Sequence, residues 1–176
     1  MALDPSFAVY LYDEYTKHLQ TEAISDIMAI TPAEKHSKLA TYGLSPPCRA
    51  VVWAVLRGMH GPLSSWSKKA KVIIHDLKRP WFKPEAFRLE TGCALWPTPG
   101  HIVVLMPLST GRANIELMPR GTNYCLPAQW EPGMVLFLNE TAIRFTGNGC
   151  LRFIYISLHK SALPKVKKYR FRYYRA

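Results

Sequence analysis

No acidic residue follows Glu140 in this 176-residue chain, whereas nine cations do: Arg144, Arg152, Lys160, Lys165, Lys167, Lys168, Arg170, Arg172 and Arg175. The N-terminal stretch is the reverse, with Asp4, Asp13, Glu14, Glu22, Asp26 and Glu34 opposed up to that point only by Lys17. A formal net charge of +11 placed so unevenly suits a polyanionic partner, and the plain alternative is a solvated, solubilising surface. Cysteine is scarce and scattered: Cys48, Cys93, Cys125 and Cys150 form no CxxC pair and no zinc-finger spacing. With 48% hydrophobic residues the chain has a core of its own and needs no disulfide staples. Reduced thiols then imply an intracellular protein, cytoplasmic or nuclear. No apolar run approaches the ~18 residues of a membrane helix, and Met1–Pro5 lacks the basic start of a signal peptide. P-loop, GxGxxG, GxSxG, HExxH, HxH and HxD patterns are all missing, which removes the commonest nucleotide, hydrolase and metal signatures.

What is present is a change of period. Phe7, Tyr10, Leu11, Tyr15, His18 and Leu19 recur at helical spacing, so Pro5 to Ile30 reads as helix, started by Asp4-Pro5. Thr31-Pro32-Ala33-Glu34 repeats a start signal for a short helix to Tyr42, and Ser45-Pro46-Pro47 opens a third through Met59. From Lys71 onward short β-branched and apolar runs alternate with Pro and Gly: 71–77, 86–95, 101–108, 113–118, 134–138, 143–146 and 151–158. This predicts an α+β protein, N-terminal helices followed by an antiparallel, jelly-roll-like β domain. The expected division is a helical segment over 1–65 packed on a β-rich domain over 66–176 that ends in a basic tail, one domain overall.

The tail alternates cations and rings. As a strand, Tyr169, Phe171 and Tyr173 share one face and Lys168, Arg170 and Arg172 the other. With Lys165, Lys167 and Arg175 these residues form a candidate nucleic-acid contact, cations for phosphates and rings for stacking; a charged edge strand is the plain alternative. The six histidines form no local ligand pair. His75 and His101 are the first to inspect, and any shared site depends on the fold.

Gly133-Met134-Val135-Leu136-Phe137-Leu138 followed by Asn139-Glu140-Thr141-Ala142-Ile143-Arg144-Phe145-Thr146-Gly147-Asn148 resembles the second cupin motif, with Gly133 and Asn148 at matching spacing. The same region is similar to the C-terminal half of phytanoyl-CoA-hydroxylase-type 2-oxoglutarate oxygenases. There Ile115–Thr122 resembles the strand and loop before that family's Pro-Gly-Ser/Thr-His turn, and Trp130-Glu131-Pro132-Gly133 the turn before its penultimate strand. The resemblance implies a double-stranded β-helix. It also implies departures: Arg144 stands at the metal histidine's position, and the region of Thr91-Gly92-Cys93 offers no HxD. An arginine does not ligate a metal at ordinary pH, so no metal site and no cofactor is expected. Arg152 falls where the resemblance puts the arginine that holds the 2-oxoglutarate carboxylate, and Arg144 beside it would turn a metal pocket into an anion pocket.

The leading expectation is therefore a non-catalytic binding module whose basic surface takes nucleic acid or another polyanion, with homo-oligomerisation open. The alternatives are a diverged cupin-like or 2-oxoglutarate-oxygenase-like enzyme and a viral jelly-roll structural protein. The enzyme would act on a small organic molecule in a pocket of Trp96, Phe137, Phe145 and Tyr155, and a bound metal there would implicate His75, His101 or His159.

Overall fold

The structure is a computed structural model and describes residues 5–32, 34–35, 39–75 and 84–162. The chain opens with strand β1 (Phe7–Leu11), not with a helix. Helix α1 (Glu14–Ala29) starts only after Asp13, whose carboxylate accepts the Thr16 backbone N–H at 2.7 Å. The expected helix over 31–42 is also absent: β2 (Glu34–Lys35) and β3 (Leu39–Tyr42) are strands. Helix α2 (Pro46–Gly58) begins as its sequence predicts, with Ser45 as N-cap and prolines in the first turn, where a missing N–H costs nothing. Helix α3 (His60–Lys69) follows directly and takes in Ser64 and Ser65.

Among the described residues nine strands follow: β4 (Val72–Ile74), β5 (Glu85–Glu90), β6 (Ala94–Leu95), β7 (His101–Pro107), β8 (Ala113–Pro119), β9 (Leu126–Trp130), β10 (Met134–Asn139), β11 (Thr141–Phe145) and β12 (Cys150–Ala162). The large sheet runs β1-β10-β7-β12-β5-β3-β2, with β4 added to the far end of β12, and the small sheet runs β6-β11-β8-β9. All pairings are antiparallel. From β5 to β12 the chain crosses repeatedly between the sheets, which makes the double-stranded β-helix. The N-terminal 65 residues therefore supply strands β1, β2 and β3 to the large sheet as well as helices.

Two cores flank the large sheet. On one face Ala86, Ile102, Val104, Met106, Val135, Phe137, Ile154, Ile156 and Leu158 pack against Ala23, Ile27, Val51, Val55 and Trp66 of the helices. On the other Val103, Leu105, Leu136, Leu138, Leu151 and Phe153 pack against Ile115, Leu117, Trp130, Ile143 and Phe145 of the small sheet. This is why β7 reads as an unbroken apolar run: covered on both faces, every residue from His101 to Pro107 is buried. Among the described residues no helix is long and apolar enough to cross a membrane.

Candidate active site

The start of β7 and the end of β12 lie side by side. Register sets His101 opposite His159, and the His75 backbone N–H donates to the His159 carbonyl at 2.9 Å, one residue beyond the Ile74–Lys160 pair. Three histidines from distant parts of the sequence thus form a row across neighbouring strands. Ring centroids are 5.2 Å apart for His75 and His159, and 5.6 Å for His159 and His101. Exposure falls along the row: His75 is exposed, His159 half-buried and His101 7% exposed. His75 Nε2 lies 2.8 Å from Ser161 Oγ. His101 Nδ1 lies 3.0 Å from the Pro99 carbonyl, an acceptor only, so Nδ1 is the donor in that hydrogen bond.

Strand alternation puts Tyr155 on the same face of β12 as His159. Its phenol is half-buried beside Phe87, with ring centroids 5.5 Å apart. Burial pushes its pKa above the ordinary value, partly offset by hydrogen bonding to Ser157 and Thr98. At neutral pH the group is therefore a protonated donor. The rim is charged. Glu140, in the tight β10–β11 turn with φ of 53°, receives Lys160 Nζ at 2.7 Å and Arg120 Nε at 3.4 Å. The Arg120 guanidinium sits 5.6 Å from the centroid of the Trp96 ring. A left-handed backbone at a non-glycine residue holds strain that the surrounding contacts must stabilise.

The arginines assigned to an anion pocket are not neighbours. Ile143 and Phe145 face the inter-sheet core, so Arg144 points to the outer face of the small sheet, where Glu116 binds its Nε at 2.7 Å and also its Nη2. The Glu116 carboxylate raises the guanidinium pKa further. Arg152 alternates with Leu151 and Phe153 and shares its face with Ile154, on the helix side of the large sheet. Outward from opposite sheets, the two cannot share one pocket. The four aromatic rings are likewise dispersed: Phe137 and Phe145 are buried in separate cores, Trp96 is under Arg120, and Tyr155 packs on Phe87, on the histidines' face of β12 but four residues from His159. The residues assigned to nucleic acid, Lys165, Lys167, Lys168, Tyr169, Phe171, Arg170, Arg172, Tyr173 and Arg175, lie outside the described residues.

Iron of the 2-oxoglutarate oxygenases needs two histidines and a carboxylate converging on one point. The row does not provide this. Among the described residues no three His, Cys, Asp or Glu side chains are arranged to hold a metal. The donor set does not fit the group.

No family model and no curated protein matches this sequence. Solved structures do. A prolyl-4-hydroxylase from Pseudomonas putida superposes with a TM-score of 0.51 at 9% identity, covering 88% of this chain and 92% of that one. A 2OG-Fe(II) oxygenase-family oxidoreductase from Burkholderia pseudomallei gives 0.52 at 11%, covering 88% and 84%. The rice dioxygenase for auxin oxidation gives 0.52 at 11%, covering 84% and 69%. The chain has the cupin and 2-oxoglutarate-oxygenase type of double-stranded β-helix, without the metal triad among the described residues. The expectation of a non-catalytic nucleic-acid module is corrected here. The fold is the double-stranded β-helix also seen in those oxygenase structures, and the tail that carried the nucleic-acid expectation lies outside the described residues.

Proposed function

We propose that this protein is a diverged double-stranded β-helix enzyme that acts on a small organic molecule by proton transfer at the three-histidine end of the sandwich. The observation that carries this reading is the row itself: three imidazoles on one sheet face, graded from solvent to core, with the protonated phenol of Tyr155 further along the same face of β12. Imidazole is the side chain best matched to moving protons near neutral pH. In this reading His101 Nε2 is the base at the buried end, Tyr155 donates to the oxygen on which charge develops, and His159 and His75 return the proton to solvent. Isomerisation or elimination next to a carbonyl is the class of reaction such a set serves.

The test is deuterium incorporation. A panel of oxo acids and enolisable carbonyl compounds is incubated with the protein in D2O and followed by proton NMR. Exchange into at least one compound, lost in His101→Gln and His159→Gln, supports the reading. Stoichiometric iron in the purified protein together with decarboxylation of 2-oxoglutarate would overturn it, as would no exchange across the panel.

A further inference from the structure

On the helix side of the large sheet, Arg152 of β12 is the direct cross-strand partner of Arg88 of β5. Both alternate with apolar residues of the helix-side core, Ala86 before Arg88 and Ile154 after Arg152, so both point the same way. Like charges directly opposite on neighbouring strands are destabilising. A second anomaly coincides with the first. The Nε atoms of Arg88 and Arg152 are both buried and have no hydrogen-bond partner. Arg88 reaches Glu90 through Nη2 at 2.9 Å, and Arg152 has no ion-pair partner among the described residues. Two guanidiniums and one carboxylate leave one positive charge uncompensated.

We infer that Arg88 and Arg152 together bind a small oxyanion, a carboxylate or a phosphate, between their guanidinium groups. One such group accepts from both Nε–H donors, screens the repulsion and completes the charge balance. Planar guanidinium forks suit these geometries above other anions. There is access, since Arg88 and Arg152 are only partly buried. The site is separate from the histidine row. Arg152 and His159 lie seven residues apart on one strand, about 23 Å at 3.3 Å per residue, and on opposite faces. It does not depend on the proton-transfer reading.

The side-chain ¹H–¹⁵Nε resonances of arginine read this site directly. Titration with sodium phosphate, and separately with sodium malonate, at ionic strength held constant with chloride is expected to shift the Arg88 and Arg152 Nε–H signals saturably. A response to phosphate alone assigns a phosphoryl ligand, and a response to malonate assigns a carboxylate; either supports the site. Arg152→Gln is expected to weaken the binding at least about tenfold. In chloride alone it is expected to melt no lower than the parent, because it removes a repulsion. Nε–H signals that respond to phosphate and malonate no more than to chloride would overturn the inference. So would an Arg152→Gln protein that binds either anion as tightly as the parent.

Discussion

Gln20 has 2% of its surface exposed and uses both ends of its amide. Its Nε2 donates to the Pro107 carbonyl at 2.8 Å, and its Oε1 accepts the Gly133 N–H at 2.7 Å. One side chain of α1 thereby ties the end of β7 to the turn into β10. Gly133 itself has φ of 82°, which a side chain tolerates poorly. Gln20→Leu keeps the volume but strands both groups, at about 1–3 kcal/mol for each. We expect a loss of about 2–6 kcal/mol by urea denaturation; a loss under 1 kcal/mol would show that the amide is dispensable. Nothing in the sequence marks Gln20, because its partners lie 87 and 113 positions away. Arg144 and Arg152 were legible as unusual residues at informative positions, but their directions were not. Each follows from which face of a strand the core occupies, and a single strand's alternation does not say which sheet covers which face. His75, His101 and His159 were visible individually; only the β7–β12 register brings them together.

At the level of elements, the sequence read well where capping chemistry is local and poorly where pairing decides. Ser45-Pro46-Pro47 announced α2 because an N-cap and first-turn prolines act within four residues. The strands at 101–107, 113–119 and 134–139 were legible from apolar runs bounded by Pro and Gly. Phe7, Tyr10 and Leu11 satisfy a helical period, yet Ala8, Tyr10 and Tyr12 also satisfy an alternating one, and pairing with β10 selects the latter. Strand β9 lies outside the runs expected as strands and contains Pro127, which has no backbone N–H to donate. It is tolerated because β9 is the sheet's edge. The true start of α1 yields a pH prediction. The Asp13 pKa is lowered from 3.8 by its hydrogen bonds to Thr16. A carboxyl whose folded pKa is depressed contributes stability above its unfolded pKa and loses it as pH falls through the folded value. Asp13→Ala should therefore melt below the parent at pH 7, and the gap between the two melting temperatures should narrow as the pH falls below the ordinary carboxyl value of 3.8 and through the lowered folded one. An equal gap throughout would mean that the cap does not act through its charge.

The two cores share one wall. The large sheet contributes one face to the helix layer and the other to the small sheet, and its strands come from both the N-terminal and C-terminal parts of the chain. Trp66 of α3 is fully buried in the first core, 5.8 Å from Phe137, and Trp130 of β9 is fully buried in the second, 5.9 Å from Phe153. Phe137 and Phe153 belong to strands of that common sheet. Separating the helices from the sheet exposes the backs of β7, β10 and β12, and losing those strands removes the support of the small sheet. The helix layer and the two sheets are therefore expected to unfold as one unit rather than as a helical segment and a detachable β domain. Fluorotryptophan labelling lets ¹⁹F NMR follow Trp66 and Trp130 separately through a urea titration. Coincident midpoints and slopes are the expected result. Trp130 remaining native after Trp66 has melted would show that the β-helix stands without its helices, and would make the N-terminal segment an accessory layer instead of part of the folding unit.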